Sequence, residues 1–232
     1  LGFAYCSPVL QGSVLQQGDM MQVQGMTKEA KDFYDNTGQH PLWSNSMFSG
    51  MPTFMTYTGL SANLVFYVNK LFTLFLPNPV NMLFLAMLGF YFLLGVLDFK
   101  YYICLFGAIA FGFSSYNIII IAAGHITKMM CMAYMAPVIG SMILTYRGKY
   151  LLGGALTALF GAALVYNNHL QIMYYTAILG ACMAVGYGIH SIKEKQFKSF
   201  MIASAIIIIA AILAVLPNSD NLLITKEYAK YS

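Results

Sequence analysis

Six apolar windows, each close to the length of a bilayer crossing, constrain this chain more than any other feature. They cover residues 80–99, 103–123, 129–146, 150–166, 172–189 and 200–216. A crossing helix needs about 20 apolar residues. Backbone N–H and C=O groups in hydrocarbon must be satisfied within the segment itself, which makes each window a helix. Charge content points the same way. Only 9% of the residues are charged and 59% are hydrophobic, against about 25% charged in a soluble domain. Such a chain cannot cover a globular surface with polar groups, so the expected fold is an all-α, polytopic transmembrane bundle. The net charge of +4 is too modest to indicate nucleic acid.

The run 1–10 is apolar but too short to span, and the chain begins with Leu1 rather than Met. It reads as the end of a partial first helix in a fragment, bringing the count to about seven crossings. The resulting map is one transmembrane domain: partial helix 1–10, outer loop 11–79, helical bundle 80–216 and outer segment 217–232. Residues 60–76 are ambiguous. Apolar residues recur there at Leu60, Leu64, Val68, Leu71 and Phe75, one helical face, while Asn63, Asn69 and Lys70 interrupt it. The pattern predicts a helix lying on the membrane surface.

The turns after alternate windows carry Lys100, then Arg147 and Lys149, then Lys193, Lys195 and Lys198. These share one side, which the positive-inside rule makes the cytoplasm. The opposite side collects a different set. Asp19 follows the first apolar run. His125 and Lys128 lie between the second and third windows, and Asn167, Asn168, His169 and Gln171 between the fourth and fifth. Asp220, Lys226, Glu227 and Lys230 follow the last window. An aspartate is costly in hydrocarbon, so Asp19 belongs at the interface or in a wet cavity. The plainer reading is a turn residue, since Gly-Asp is good turn chemistry. His125 and Lys128 are three apart and share a helical face, where they could bind a phosphate or simply sit at the interface. His169 could equally be part of a short polar turn, and Glu227 part of a solvated loop.

Small residues at four-residue spacing (Ala108 and Gly112; Gly154, Ala158 and Ala162; Gly180, Ala184 and Gly188) predict close helix packing. Cys6, Cys104, Cys131 and Cys182 are scattered through apolar segments without CxxC spacing, which predicts apolar packers rather than disulfides or a metal cluster. No nucleotide-binding, hydrolase or zinc-protease motif occurs. The stretch from His40 to Pro52, with Trp43 within it, could face a substrate or anchor an interface.

Several pieces resemble a known family. They are Ser7-Pro8-Val9-Leu10-Gln11-Gly12, Asp19 with Gln22, Pro41-Leu42-Trp43-Ser44-Asn45-Ser46-Met47-Phe48-Ser49-Gly50-Met51-Pro52, Ala110-Phe111-Gly112-Phe113-Ser114-Ser115-Tyr116, Ala123-Gly124-His125 and Asn168-His169-Leu170-Gln171-Ile172. Together they resemble the N-terminal part of YfhO-like bacterial membrane proteins of the Bacteroidetes type. That family is similar to GT-C glycosyltransferases, which take sugars from polyprenyl-phosphate carriers. The resemblance implies a GT-C-like core of seven crossings, a first outer loop that opens on an acidic residue, and longer full-length members. It also implies the outer face of a bacterial cytoplasmic membrane as the place of reaction.

On that resemblance the substrate is a polyprenyl-phosphate-linked sugar. Asp19 is the catalytic base, and His125, Lys128, His169, Gln171, Gln22 and Glu227 are substrate-binding candidates. The segment around Glu227 matches only loosely. No cofactor is demanded. Asp19, His125 and His169 are acceptable ligands for a divalent metal, but nothing in their spacing requires one. The rival readings are a transporter or flippase for a lipid-linked substrate, whose site would lie near the midplane on broken helices, and a silent membrane scaffold.

The charge map yields a direct test. With the native cysteines replaced, Gln196→Cys in the basic turn should be shielded from an impermeant thiol reagent added outside intact cells. It should react once the membrane is opened. Labelling from outside would refute the map.

Overall fold

A computed structural model describes residues 1–46, 49–55, 63–228 and 230. The fold is all-α, 78% helical, its one sheet a pairing of two-residue strands. The helices are α1 (Gly2–Tyr5), α2 (Gly18–Thr37), α3 (Val65–Phe72), α4 (Val80–Val96), α5 (Tyr101–Gly112), α6 (Ser115–Ala123), α7 (Ile126–Tyr146), α8 (Tyr150–Tyr166), α9 (Leu170–Lys193), α10 (Phe197–Val215) and α11 (Ser219–Tyr228). The strands β1 (Trp43–Ser44) and β2 (Met51–Pro52) are antiparallel, with Trp43 opposite Pro52.

Among the described residues three helical segments are long and apolar enough to cross a membrane: Ile126–Tyr146, Leu170–Lys193 and Phe197–Asn218. A fourth crossing is available if α5 and α6 form one span, bent by 41° at the break between them. α4 and α8 are apolar and shorter, at 17 residues each.

α7 is the centre of the bundle, and most of its residues are buried. It carries Pro137, which has no N–H to donate to the carbonyl of Ala133 and would leave it exposed as an acceptor. That carbonyl lies against Gly89 of α4, where a Cβ would come within 2.6 Å of it. Glycine is required by close approach here, and it lets the part of α7 around Pro137 seat against α4.

Other close approaches fix the senses of the helices. Gly107 faces Leu94 and Gly112 faces Met87, so α5 runs antiparallel to α4. Gly153 faces Thr145, and the Cys131 thiol lies 3.4 Å from the Leu164 carbonyl, so α8 runs antiparallel to α7. Gly154 meets Ile206 and Gly161 meets Ala214, so α8 and α10 run parallel. The three basic turns consequently lie at one end of the bundle. Arg147 donates to Asp98 at 2.7 Å and to the Val96 carbonyl, tying the ends of α4 and α7 together there.

The segment 11–79 departs most from expectation. Residues 1–10 are not one helix end: α1 stops at Tyr5, and a 3-10 turn over Ser7–Gln11 follows, ending on left-handed Gly12. Pro8 supplies no N–H to continue the α pattern. The loop read from Gln11 onward contains the 20-residue α2, with Asp19 in its first turn and left-handed Gly38 closing it. An acidic residue at the start and a glycine past the end are helix signals. Asp19 therefore opens α2 rather than trailing a first crossing. The helix expected over 60–76 is observed only as α3, eight residues long; residues 60–62 lie outside the described residues. Asn69 on α3 accepts from the hydroxyl of buried Tyr134 at 2.8 Å. Asn63 donates to Asn218 and to the Pro217 carbonyl, both at 2.8 Å, and Asn218 donates in turn to Ala162 at 3.1 Å. Two of the polar residues that interrupted the apolar pattern, Asn63 and Asn69, tie α3 to the bundle, while Lys70 is exposed over the Phe66 ring of α3 itself.

The Gly89 contact gives a packing prediction. Gly89→Ala should lower stability by roughly 1–3 kcal/mol, the cost of overpacking against backbone. Gly186→Ala, where nothing lies within 4 Å of the added methyl, should be neutral or slightly stabilising. Thermal unfolding in detergent distinguishes them, and equal effects would contradict this account of the α4–α7 contact.

Candidate functional site

The site is built where the start of α2 meets the turn between α6 and α7. Gly124 ends α6 in the left-handed region, with φ +98°. A Cβ on it would come within 3.1 Å of the Gln17 Cβ, 3.2 Å of the Asp19 Cβ and 3.3 Å of the Met20 backbone nitrogen. Any other residue would be strained in backbone and crowded in space. Gln17 precedes α2, is buried, and donates its amide to the Ile121 carbonyl at the end of α6. The Ile121 carbonyl also accepts from the Gly124 N–H at 3.1 Å, so the Gln17 amide is a second donor to the same acceptor and pins α2 to the end of α6.

That joint sets Asp19 beside His125. The Asp19 Oδ2 and His125 Nδ1 lie 2.7 Å apart, each side chain roughly half exposed. His125 occupies the N-cap position of α7. Lys128, one turn into α7, holds its ammonium 5.2 Å from the centre of the Tyr116 ring. His169 holds the N-cap position of α9. Its Nδ1 is buried without a hydrogen-bond partner among the described residues. Burial first, and then the charges of Lys128 and His125, hold its imidazole below the ordinary histidine range. His125, Lys128 and His169 thus share one electrostatic neighbourhood with Asp19 at its edge.

The other candidates are not drawn in. Gln171 donates to the Tyr175 hydroxyl at 2.8 Å on the exposed side of α9. Gln22 is exposed on α2. Glu227 is exposed on α11 and pairs with Lys230 at 3.8 Å. No group of three or more His, Cys, Asp or Glu side chains able to hold a metal occurs among the described residues. The Asp19–His125 pair alone is not a metal-ligand set.

An apolar cleft of about 420 Å³ lies beside the joint, lined by Tyr5, Cys6, Val9, Leu15, Leu83 and Ile121 among others. Ile121 belongs both to the cleft wall and, through its carbonyl, to the Gln17 contact.

One contact had no signal in the sequence. Glu29 on α2 accepts from the Ser44 hydroxyl at 2.6 Å and from the backbone N–H groups of Asn45 and Ser46 at 2.9 Å each. The Ser44 hydroxyl, followed by those backbone donors, holds the Glu29 carboxyl below its ordinary range. This clamp fixes the loop carrying Trp43 to the far half of α2. Met47 and Phe48 of the same loop lie outside the described residues.

Comparison with protein-family models, with curated proteins and with solved structures finds no match to this chain.

His169 gives a pH prediction. A histidine whose folded pKa is lowered contributes stability that is complete above the unfolded value, and loses it as pH falls through the folded one. Melting temperature should therefore drop further between about pH 7.5 and about pH 5.5 in the unmodified protein than in His169→Gln. Identical slopes would show that His169 is not desolvated.

Proposed function

We propose that the protein is a membrane-embedded glycosyltransferase that moves a sugar from a polyprenyl-phosphate donor to an acceptor. In this reading the reaction takes place on the outer face of a bacterial cytoplasmic membrane. The observation that carries the reading is the Asp19–His125 pair, set at the end of the bundle away from the basic turns and beside an apolar cleft. A lipid-linked donor needs this juxtaposition, because its tail stays in hydrocarbon while its reactive carbon sits at the interface. The seven-crossing arrangement belongs to the same proposal. In this reading α4, the α5–α6 pair and α7 to α10 are six crossings of alternating sense, and the short apolar α1 stands as the end of a partial seventh.

The chemistry follows from charge. The acceptor hydroxyl loses its proton to the Asp19 carboxylate, which its 2.7 Å contact with the His125 imidazole holds in place. The hydroxyl oxygen then bonds to the anomeric carbon as the carbon–oxygen bond to the lipid phosphate breaks. The phosphate leaves with the bonding pair, near the ammonium of Lys128. One base opposite one leaving group inverts the anomeric centre.

The break between α5 and α6 favours a second reading, a transporter or flippase for the same class of lipid. Broken helices are where transporters place their sites. Beside this break the buried Asn117 donates to the Phe111 carbonyl at 2.7 Å, and its Oδ1 has no partner among the described residues. The transferase is preferred because the Asp19–His125 pair lies at the rim, where α6 ends and α7 begins, not at the break.

Purified protein should transfer sugar from at least one of a panel of polyprenyl-phosphate hexoses. Asp19→Asn should lower that rate about 10²–10⁴-fold, as expected for loss of a general base, with unfolding little changed. Lys128→Ala should mainly raise the donor KM. Full activity in Asp19→Asn would overturn the catalytic assignment. Flipping of the labelled donor across proteoliposomes without transfer would establish the second reading instead.

A further inference from the structure

A second apolar groove, about 470 Å³, runs between α8 and α10 at the basic end of the bundle. Small side chains form its floor, Gly154 and Ala158 on α8 and Ala210 on α10, with exposed Ala155 at its lip. Its walls are Leu151, Ile209 and Leu213, all exposed at the surface of the bundle. The two helices run parallel here, so both start at the same end. Their starting residues are flanked by Lys149, just before α8, and Lys198, in the first turn of α10. The stacking of Tyr146 on Phe200, with centroids 5.8 Å apart, places these two stretches at one level.

We infer that this groove binds one anionic phospholipid of the leaflet the basic turns face, its acyl chain between α8 and α10 and its headgroup at Lys149 and Lys198. Three observations commit the site to that occupant. Its lining runs from Tyr150 to Ala158 on one helix and from Ile206 to Leu213 on the other. At 1.5 Å per residue this is about 12 Å, close to the ~15 Å depth of one leaflet and half what a spanning helix would cover. The exposed walls Leu151, Ile209 and Leu213 leave it open along this length to an acyl chain. The charge at its mouth is uncompensated: Arg147 is engaged by Asp98, whereas neither Lys149 nor Lys198 has an ion-pair partner among the described residues. Glu194 is the one acidic residue in these two turns, against Lys149, Lys193, Lys195 and Lys198. A zwitterionic lipid would leave that excess unanswered.

The inference does not depend on the transferase reading and needs no activity assay. The full chain is reconstituted in nanodiscs of phosphatidylglycerol and phosphatidylcholine with matched acyl chains, then released for native mass spectrometry. It should retain about one phosphatidylglycerol in preference to phosphatidylcholine. Lys149→Gln and Lys198→Gln should each weaken retention about five-fold, the contribution of one basic residue near an anionic surface. Ala155→Phe, on the exposed lip of the groove, should displace the lipid while helix content by circular dichroism stays unchanged. Lys100→Gln, on the same rim but on the turn between α4 and α5, should leave retention intact. Equal retention of the two lipids would overturn the proposal. So would an equal effect of Lys100→Gln, no effect of Ala155→Phe, or a lipid-free dimer in place of a lipid-bound monomer.

Discussion

The missing side chain of Gly124 is the constraint on which the candidate site depends. Its left-handed backbone turns the chain from α6 into α7, and its bare Cα lets Gln17, Asp19 and Met20 pack against that turn. Magnitudes show what holds the joint. A half-exposed ion pair such as Asp19–His125 contributes about 0.2–1 kcal/mol. The buried Gln17 amide is worth about 1 kcal/mol net, and leaving it unsatisfied would cost about 1–3 kcal/mol. Packing at Gly124 and the Gln17 bond therefore set the position of α2. The meeting of Asp19 with His125 is their consequence, which leaves the pair free to take part in chemistry without the fold depending on it.

The same economy of side chains organises the bundle. At Gly89, Gly153, Gly154 and Gly161 the neighbouring helix occupies the space a methyl group would need. In hydrocarbon there is no hydrophobic drive between helices, so such close van der Waals approach is what associates them. Polar residues then specify the geometry at the bundle's edges: Asn63 with Asn218, Asn69 with Tyr134, and Arg147 with Asp98.

Much of the bundle was legible because hydropathy and helix length are set by the same quantity. The window 150–166 coincides with α8, and the other windows fall within a few residues of their helices except where α5 breaks from α6. That break was hidden by the apolar average of the window, although Gly112 ends α5 and Ser114, at the N-cap position, opens α6. α2 was missed for the opposite reason: it is polar on most of its surface and lacks an apolar stripe, although Asp19 and Gly38 mark its ends. Of the site, the association of Asp19 with His125, and of His169 with Lys128 and His125, was foreseen from shared depth alone. Depth does not fix direction, which is why Gln171 and Glu227 were grouped with them and are not drawn in; Gln22, a candidate through the family resemblance alone, is exposed on α2. The Glu29 clamp joins residues 15 to 17 apart through a loop conformation that no local pattern encodes.

The central claim is that the start of α2 sits on the turn between α6 and α7. Thiol cross-linking tests it most directly. In a protein whose native cysteines have been replaced, Asp19→Cys is combined with His125→Cys, and a protease site is placed after Gly38. Oxidation followed by cleavage should leave the N-terminal piece attached to the rest on a non-reducing gel, and reduction should release it. Fragments that separate without reduction, although both thiols react with a maleimide, would show that α2 does not dock there.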